Sequence, residues 1–259
     1  MSSISAGGGP AAPVICAAGA GGFELVVFDW DGTLIDSTHA ITDAIRASAA
    51  DLGLPVPSRE RASHVIGLGL LDAIHYAVPT IRREQLPAFV ERYRAHFLRR
   101  DEQLQAFEGI PQLLAELQAA GVWLAVATGK SRAGLDRALV QTGWHAHFLS
   151  TRCADEGAPK PDPWMLDDLF EEIGVAPQRA VMIGDTTHDL KMAGAAGAAA
   201  VAVSYGAHPA DELRACAPAA CVDSVAELRG WLLPRLAPQP PGLAGAGGAA
   251  APAGSRSPG

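Results

Sequence analysis

The run VVFDWDGTLIDS, from Val26 to Ser37, sets Asp29 and Asp31 one residue apart, directly behind an apolar β-type stretch and just before Gly32. Three later runs deliver polar groups in the same way. ATGK brings Thr128, Gly129 and Lys130, the loop APKPDP brings Lys160, and MIGDTTHD brings Asp185 and Asp189. If these ends share one edge, four carboxylates, a hydroxyl and an ammonium meet there. Packed carboxylates repel, and a hard divalent cation with oxygen ligands removes the repulsion; Mg²⁺ is the usual choice when phosphate oxygens complete the shell. Lys160 and the backbone amides that follow Asp29 and Thr128 then hold the anion. Metal, phosphate and a carboxylate beside them point to phosphoryl transfer.

Such a site needs strands to deliver it. ELVVF (Glu24 to Phe28), VWLAVA (Val122 to Ala127), AVMIG (Ala180 to Gly184) and AAVAV (Ala199 to Val203) read as short buried strands, each followed by polar or glycine residues and helix-like sequence. That order predicts an α/β fold, a parallel sheet with helices on both faces. Ile110 to Ala120 reads as one of the helices, with Pro111 in its first turn, Leu113, Leu114 and Leu117 on one stripe, and Gly121 at its end. Between Ser37 and about Gln103 only helical periodicity is seen, as in Ile41, Ala44, Ile45, Ala49 and Leu52. A helical insertion there leaves the core after the first strand and lies over the carboxyl ends of the strands, where open α/β sheets bind ligands.

Composition bounds the rest. The 259 residues are 49% hydrophobic and 19% charged, enough for one large domain or a domain with an insertion. A net charge of -8 and a pI near 5.4 argue against nucleic acid and anionic membranes, which need a concentrated positive field. Cys16, Cys153, Cys216 and Cys221 show no CxxC or metal spacing and read as free thiols. The N-terminus lacks a basic signal-peptide region, and no apolar run has the length of a bilayer span, so the expected location is cytoplasmic. Residues 1–22 and 235–259, rich in Gly, Ala and Pro, read as disordered tails. This leaves residues 23–36 and 104–234 as the core and 37–103 as the insertion.

The four motifs, DWDGT (Asp29 to Thr33), ATGK (Ala127 to Lys130), KPDP (Lys160 to Pro163) and GDTTHD (Gly184 to Asp189), occur in the order seen in the haloacid dehalogenase superfamily of phosphohydrolases. The resemblance runs from Phe23 to about Leu233 and is closest to phosphoglycolate phosphatase-like members. It implies a Rossmann-like core with an all-helical cap of the family's first type. It also implies that Asp29 is the nucleophile forming an aspartyl-phosphate and that Asp31 moves protons to the leaving oxygen and from water. Asp29, the Asp31 carbonyl and Asp185 would bind Mg²⁺, with Asp189 in support or orienting Lys160. Thr128, Gly129, Lys160 and the backbone at Gly32 would hold the phosphoryl group. The implied partner is a small phosphorylated metabolite, and the implied assembly a monomer or homodimer.

Other residues near these motifs read as structural. Asp36 with Ser37 reads as a helix cap, with a possible hinge role for the helical insertion, and Trp30 as packing against that insertion. Lys130 and Lys191 read as solvated, and His39 and His188 as surface or helix-terminal. The loop HVIGLGLLDA, His64 to Ala73, could lower glycines toward a substrate but carries no polar side chain between Ile66 and Leu71. Lys160 differs, because a chain with three lysines and seventeen arginines places a compact ammonium there. Among neighbouring chemistries, a phosphonatase needs a lysine in the insertion, and Ser37 to Gln103 has none. A dehalogenase has no use for Asp31, since halide leaves unprotonated. A phosphomutase on a sugar phosphate shares this core and is the alternative enzyme; a catalytically idle binding or regulatory member is the alternative outside catalysis.

Overall fold

The computed structural model describes residues 22–101 and 103–237. Six parallel strands form one sheet: β1 (Leu25–Phe28), β2 (Trp123–Thr128), β3 (Ser150–Cys153), β4 (Ala180–Gly184), β5 (Ala199–Val203) and β6 (Ala220–Val222), in the order β3-β2-β1-β4-β5-β6. Both faces of β1 are covered, which is why it reads as an unbroken apolar run. Val26 and Phe28 enter one buried cluster and Leu25 and Val27 the other, following the period of two along a strand. The expected parallel α/β sheet is therefore present. The strands at its edges, β3 and β6, were not anticipated: β3 is STRC, mostly polar and half-buried, and β6 has only three residues.

Helices between 38 and 101 precede those of the sheet: α1 (Thr38–Asp51), α2 (Arg59–His64), α3 (Leu70–Ala77) and α4 (Leu86–Asp101). α5 (Ile110–Ala119) and α6 (Arg132–Thr142) cover one face of the sheet, while α7 (Trp164–Ile173), α8 (Thr187–Ala195) and α9 (Ala210–Ala215) cover the other. α10 (Val225–Leu232) returns to the first face. The predicted helix over Ile110 to Ala120 matches α5 to within a residue, and its Leu113, Leu114 and Leu117 are fully buried. Truncating one such leucine to alanine costs roughly 2–5 kcal/mol.

The segment from Ser37 to Gln103 contains no strand among its described residues and builds an apolar cluster of its own, with Ile41, Ile45, Ile74, Phe89 and Phe97 inside it. Its two ends lie side by side. The Asp36 N–H donates to the Gln105 carbonyl at 2.9 Å and the Phe107 N–H to the Leu34 carbonyl at 3.1 Å.

The tail expected from 235 begins too early. The Phe23 N–H donates to the Arg235 carbonyl at 2.8 Å and the Ala237 N–H to the Phe23 carbonyl at 2.8 Å, so 235–237 belong to the folded unit. Gly22 at the other end lies within 2.9 Å, by its ideal Cβ position, of the same carbonyl. The rest of both expected tails lies outside the described residues.

Candidate active site

The strand order reverses direction between β1 and β4, and the crevice at their carboxyl ends is the ligand position of this topology. β1 ends at Phe28, paired in register with Ile183 of β4, so the residues that follow each strand meet. Asp29 lies fully buried there, its N–H tied to the Ile183 carbonyl at 2.9 Å. Its Oδ1 meets the Lys160 ammonium at 2.9 Å, and its Oδ2 has no hydrogen-bond donor. Burial pushes the Asp29 carboxyl up to about 7, against the pull of Lys160 and with the help of the Asp189 charge.

Asp185, at the end of β4, is equally buried. Its Oδ1 accepts from the Thr33 hydroxyl at 2.8 Å and its Oδ2 from the Ala207 N–H at 2.7 Å. Burial, then the charges of Asp29 and Asp189, hold its carboxyl well above the usual range. Asp189 stands one turn into α8. Its Oδ2 accepts from the Thr186 hydroxyl at 2.7 Å and the Thr186 N–H at 3.1 Å, which closes the first turn of the helix. Its Oδ1 accepts from Lys160 Nζ at 2.6 Å. Lys160 is thus a buried ammonium between two carboxylates. Burial alone would lower its pKa, but Asp189 and Asp29 outweigh that and raise it, so the charge stays.

The carboxylates of Asp29, Asp185 and Asp189 lie with one oxygen each within 4.8 Å of the others. This all-oxygen donor set, with an unpartnered oxygen on Asp29, suits a hard divalent cation. Thr128 ends β2 beside this group with its hydroxyl accepting from the Lys130 N–H at 3.2 Å. A Cβ on Gly129 would lie 2.5 Å from the Gly67 carbonyl and 2.6 Å from that of Leu68, so the HVIGLGLLDA loop reaches the site through its backbone. Gly32 adopts φ +80°, open to glycine at no steric cost. Asp29, Asp31, Gly32, Thr128, Gly129, Lys160, Asp185 and Asp189 all gather at this sheet edge.

Three neighbours depart from the sequence reading. Ser37 makes no side-chain cap on α1; its hydroxyl donates to Asp31 Oδ1 at 2.7 Å. Lys130 is not solvated: its Nζ stands 3.0 Å from the same Asp31 oxygen, with both side chains 11% exposed. Trp30 packs on Trp144 and Phe148 in a cluster of the sheet and is not part of the apolar cluster of the helical segment. His188 is helix-terminal as expected, in the first turn of α8, and there it joins His64 and His208; its ring nitrogen Nε2 and that of His208 reach the His64 carbonyl at 3.2 and 3.0 Å. His208 Nδ1 also accepts from the Thr187 N–H at 3.1 Å, so both its ring nitrogens are engaged by backbone, and burial lowers its pKa to about 4. No side-chain signal could have revealed Ala207, which acts through its amide; Thr33 stood within DWDGT and needed only the fold to reach Asp185.

Residues 26–203 match the family model described as haloacid dehalogenase-like hydrolase. The chain belongs to the haloacid dehalogenase-like hydrolases. Within that family it is similar to the probable phosphatase IndB of Dickeya dadantii, 37% identical over 80% of this chain and 92% of that protein. It is also similar to the phosphoglycolate phosphatase of Chromobacterium violaceum, at 33% identity over 79% of this chain and 94% of that one. A hydrolase structure from Pseudomonas syringae shares the fold at 22% identity, with a TM-score of 0.74 over 82% of this chain and 97% of that chain. This haloacid dehalogenase-like hydrolase is phosphoglycolate phosphatase-like, an enzyme that hydrolyses phosphomonoesters, and its substrate is a small phosphorylated compound. No helix among its described residues is long and apolar enough to cross a membrane.

Proposed function

We propose that the protein is a Mg²⁺-dependent phosphatase that hydrolyses a small phosphomonoester metabolite of the phosphoglycolate type through an aspartyl-phosphate on Asp29. The observation that carries this reading is the state of Asp29: fully buried at a strand end, with one carboxylate oxygen free of donors and Asp31 two residues further on. A buried carboxylate with an unused oxygen is costly to fold around and is retained where that oxygen reacts or binds a cation. Bound by Asp29, the Asp31 carbonyl and Asp185, Mg²⁺ would neutralise phosphate charge and keep Asp29 ionised.

The chain's own residues account for the rest. An Asp29 oxygen attacks phosphorus and the phosphorus–ester oxygen bond breaks, while the Asp31 carboxyl gives its proton to the departing alkoxide. Water then attacks the phosphoryl group, Asp31 takes the water's proton, and the bond to Asp29 breaks to release phosphate. Lys160 and Thr128, with the backbone at Gly32 and Gly129, orient the phosphoryl oxygens. Asp189 fixes Lys160 by its 2.6 Å contact. The helical segment 37–103 serves as a cap over this edge.

The test is hydrolysis of 2-phosphoglycolate and a panel of other phosphorylated metabolites with Mg²⁺ and with excess chelator. Turnover that stops with chelator and returns with Mg²⁺ is expected. Full activity after exhaustive metal removal would reject the reading.

A further inference from the structure

Asp31 has two side-chain donors, and both use the same oxygen. The Ser37 hydroxyl donates to Oδ1 at 2.7 Å and the Lys130 ammonium stands 3.0 Å from Oδ1. With Oδ1 doubly occupied, a proton on this carboxyl resides on Oδ2. Lys130 is itself held in place. Its N–H donates to Thr128 Oγ1 at 3.2 Å, its carbonyl accepts from the Ala154 N–H at 3.0 Å, and its side chain is 11% exposed. Its Nζ lies 5.1 Å from the ring centre of Phe97, a buried residue of α4, which is a cation–π contact to the helical segment. Asp31 and Lys130 together line a cavity of ≈ 220 Å³ with Trp30, Asp101 and Leu104.

From this geometry we infer that Lys130 is a positioning residue for Asp31: with Ser37 it fixes Oδ1, turns Oδ2 to the reacting oxygen, and holds that orientation only while Phe97 of the helical segment is docked on it. The inference rests on the reading of Asp31 as the group that moves protons. A lysine whose only role was a surface charge would be solvated, and one whose only role was phosphate binding would have no reason to share an Asp31 oxygen with Ser37 and to lie over a ring of the helical segment. Lys130 fits neither. Its ammonium reaches Asp31 from the turn after β2, Ser37 reaches it from the start of α1, and the Phe97 ring also lies against the ammonium.

Leaving-group chemistry separates this role from a merely structural one. The 4-nitrophenolate of 4-nitrophenyl phosphate leaves without a proton, whereas the alkoxide of an alkyl phosphate needs one, and both esters need the base for the later attack of water. Lys130→Met, Lys130→Arg, Phe97→Leu and Asp31→Asn should be compared with the wild-type chain, with Mg²⁺ and after circular dichroism shows the wild-type spectrum. For Lys130→Met, the initial burst of 4-nitrophenolate should stay within about threefold of wild type, while kcat on an alkyl phosphate and steady-state kcat on 4-nitrophenyl phosphate fall by at least about tenfold with little change in KM. Lys130→Arg should recover part of that loss, and Phe97→Leu should show the same pattern in weaker form.

Burst and alkyl rates falling together in Lys130→Met, or neither falling, would overturn the positioning role while leaving the phosphatase reading intact, provided Asp31→Asn shows the selective pattern. If Asp31→Asn turns over the alkyl ester at the wild-type rate, or the wild-type chain turns over neither ester, the reading of Asp31 fails and the role of Lys130 fails with it. Should Lys130→Met not fold, Phe97→Leu and Lys130→Arg decide, since the first leaves the ammonium in place and the second keeps its charge. Wild-type rates in both would overturn the coupling to the helical segment.

Discussion

A Cβ placed on Gly32 would stand 2.1 Å from Oδ2 of Asp185. The turn after the first strand and the carboxylate after the fourth therefore occupy each other's space, and only a residue without a side chain lets Asp185 reach the Ala207 N–H. The same residue has φ +80°, so a side chain there is strained as well as obstructed. Gly32→Ala should lose about 1–3 kcal/mol of stability and nearly all activity, because Asp185 must swing away to make room. Thermal melting and a Mg²⁺-dependent hydrolysis assay check it. A variant with wild-type activity would show that Asp185 need not keep this position.

The site's protons give a dependence on pH. The Asp29 carboxyl has its pKa raised from 3.8 to about 7 in the folded chain. Between those values the folded state binds more protons at this position than the unfolded state, so its contribution to stability falls as pH rises through that window. A bound cation replaces the proton, and the competition disappears once Asp29 is ionised. The rise in Tm caused by Mg²⁺ should therefore be small near pH 5, grow through about pH 7 and level off above it. Melting curves with and without Mg²⁺ across this range decide the matter. A Mg²⁺-induced shift that shrinks as pH rises would remove Asp29 from the cation site.

Asp29→Asn should remove the nucleophile while keeping the shape of the site. Turnover should drop on the order of 10⁴-fold or more, and no phosphoenzyme should form. Mg²⁺ with a fluoride complex of beryllium or aluminium mimics the phosphoryl group on a carboxylate, so stable binding should be seen in the wild-type chain and lost in the variant. Substantial residual turnover would move the nucleophile elsewhere.

The central strands and the aspartates Asp29 and Asp185 were legible because a strand buried on both faces is an apolar run, and a charged residue straight after such a run lies at a strand end. Leu25 to Phe28 followed by Asp29, and Ala180 to Gly184 followed by Asp185, show this directly. β3 and β6 were not legible, because the four residues of β3 are mostly half-buried and polar and the three of β6 are too few for a periodicity to separate either from a loop. Ser37 and Lys130 were misread for a different reason. Local rules assign a serine before a helix to capping and a lone lysine to solvent, whereas both here answer to Asp31, through tertiary contacts of 2.7 and 3.0 Å. The amide of Ala207 has no signature at all, since every residue but proline carries one.

Removing the helical segment tests whether it selects the substrate without supporting the core. Neither cluster that fills the two faces of the sheet includes a residue from 38–101, while the third cluster is built almost wholly from that range. The ends are already joined, since the Asp36 N–H donates to the Gln105 carbonyl at 2.9 Å, so a turn of about two to four residues can replace 38–103 without moving either strand end. Ser37 would be retained to hold Asp31. The shortened chain should show the circular dichroism of an α/β domain and detectable hydrolysis of 4-nitrophenyl phosphate. Its kcat/KM values across a panel of metabolite phosphates should converge, because the contacts that distinguish the non-reacting ends, and the exclusion of water from Asp29, go with the segment. Loss of Phe97 should also lower the rate on alkyl esters more than the nitrophenolate burst. An unchanged ratio of kcat/KM values in a folded deletion variant would place substrate choice in the core.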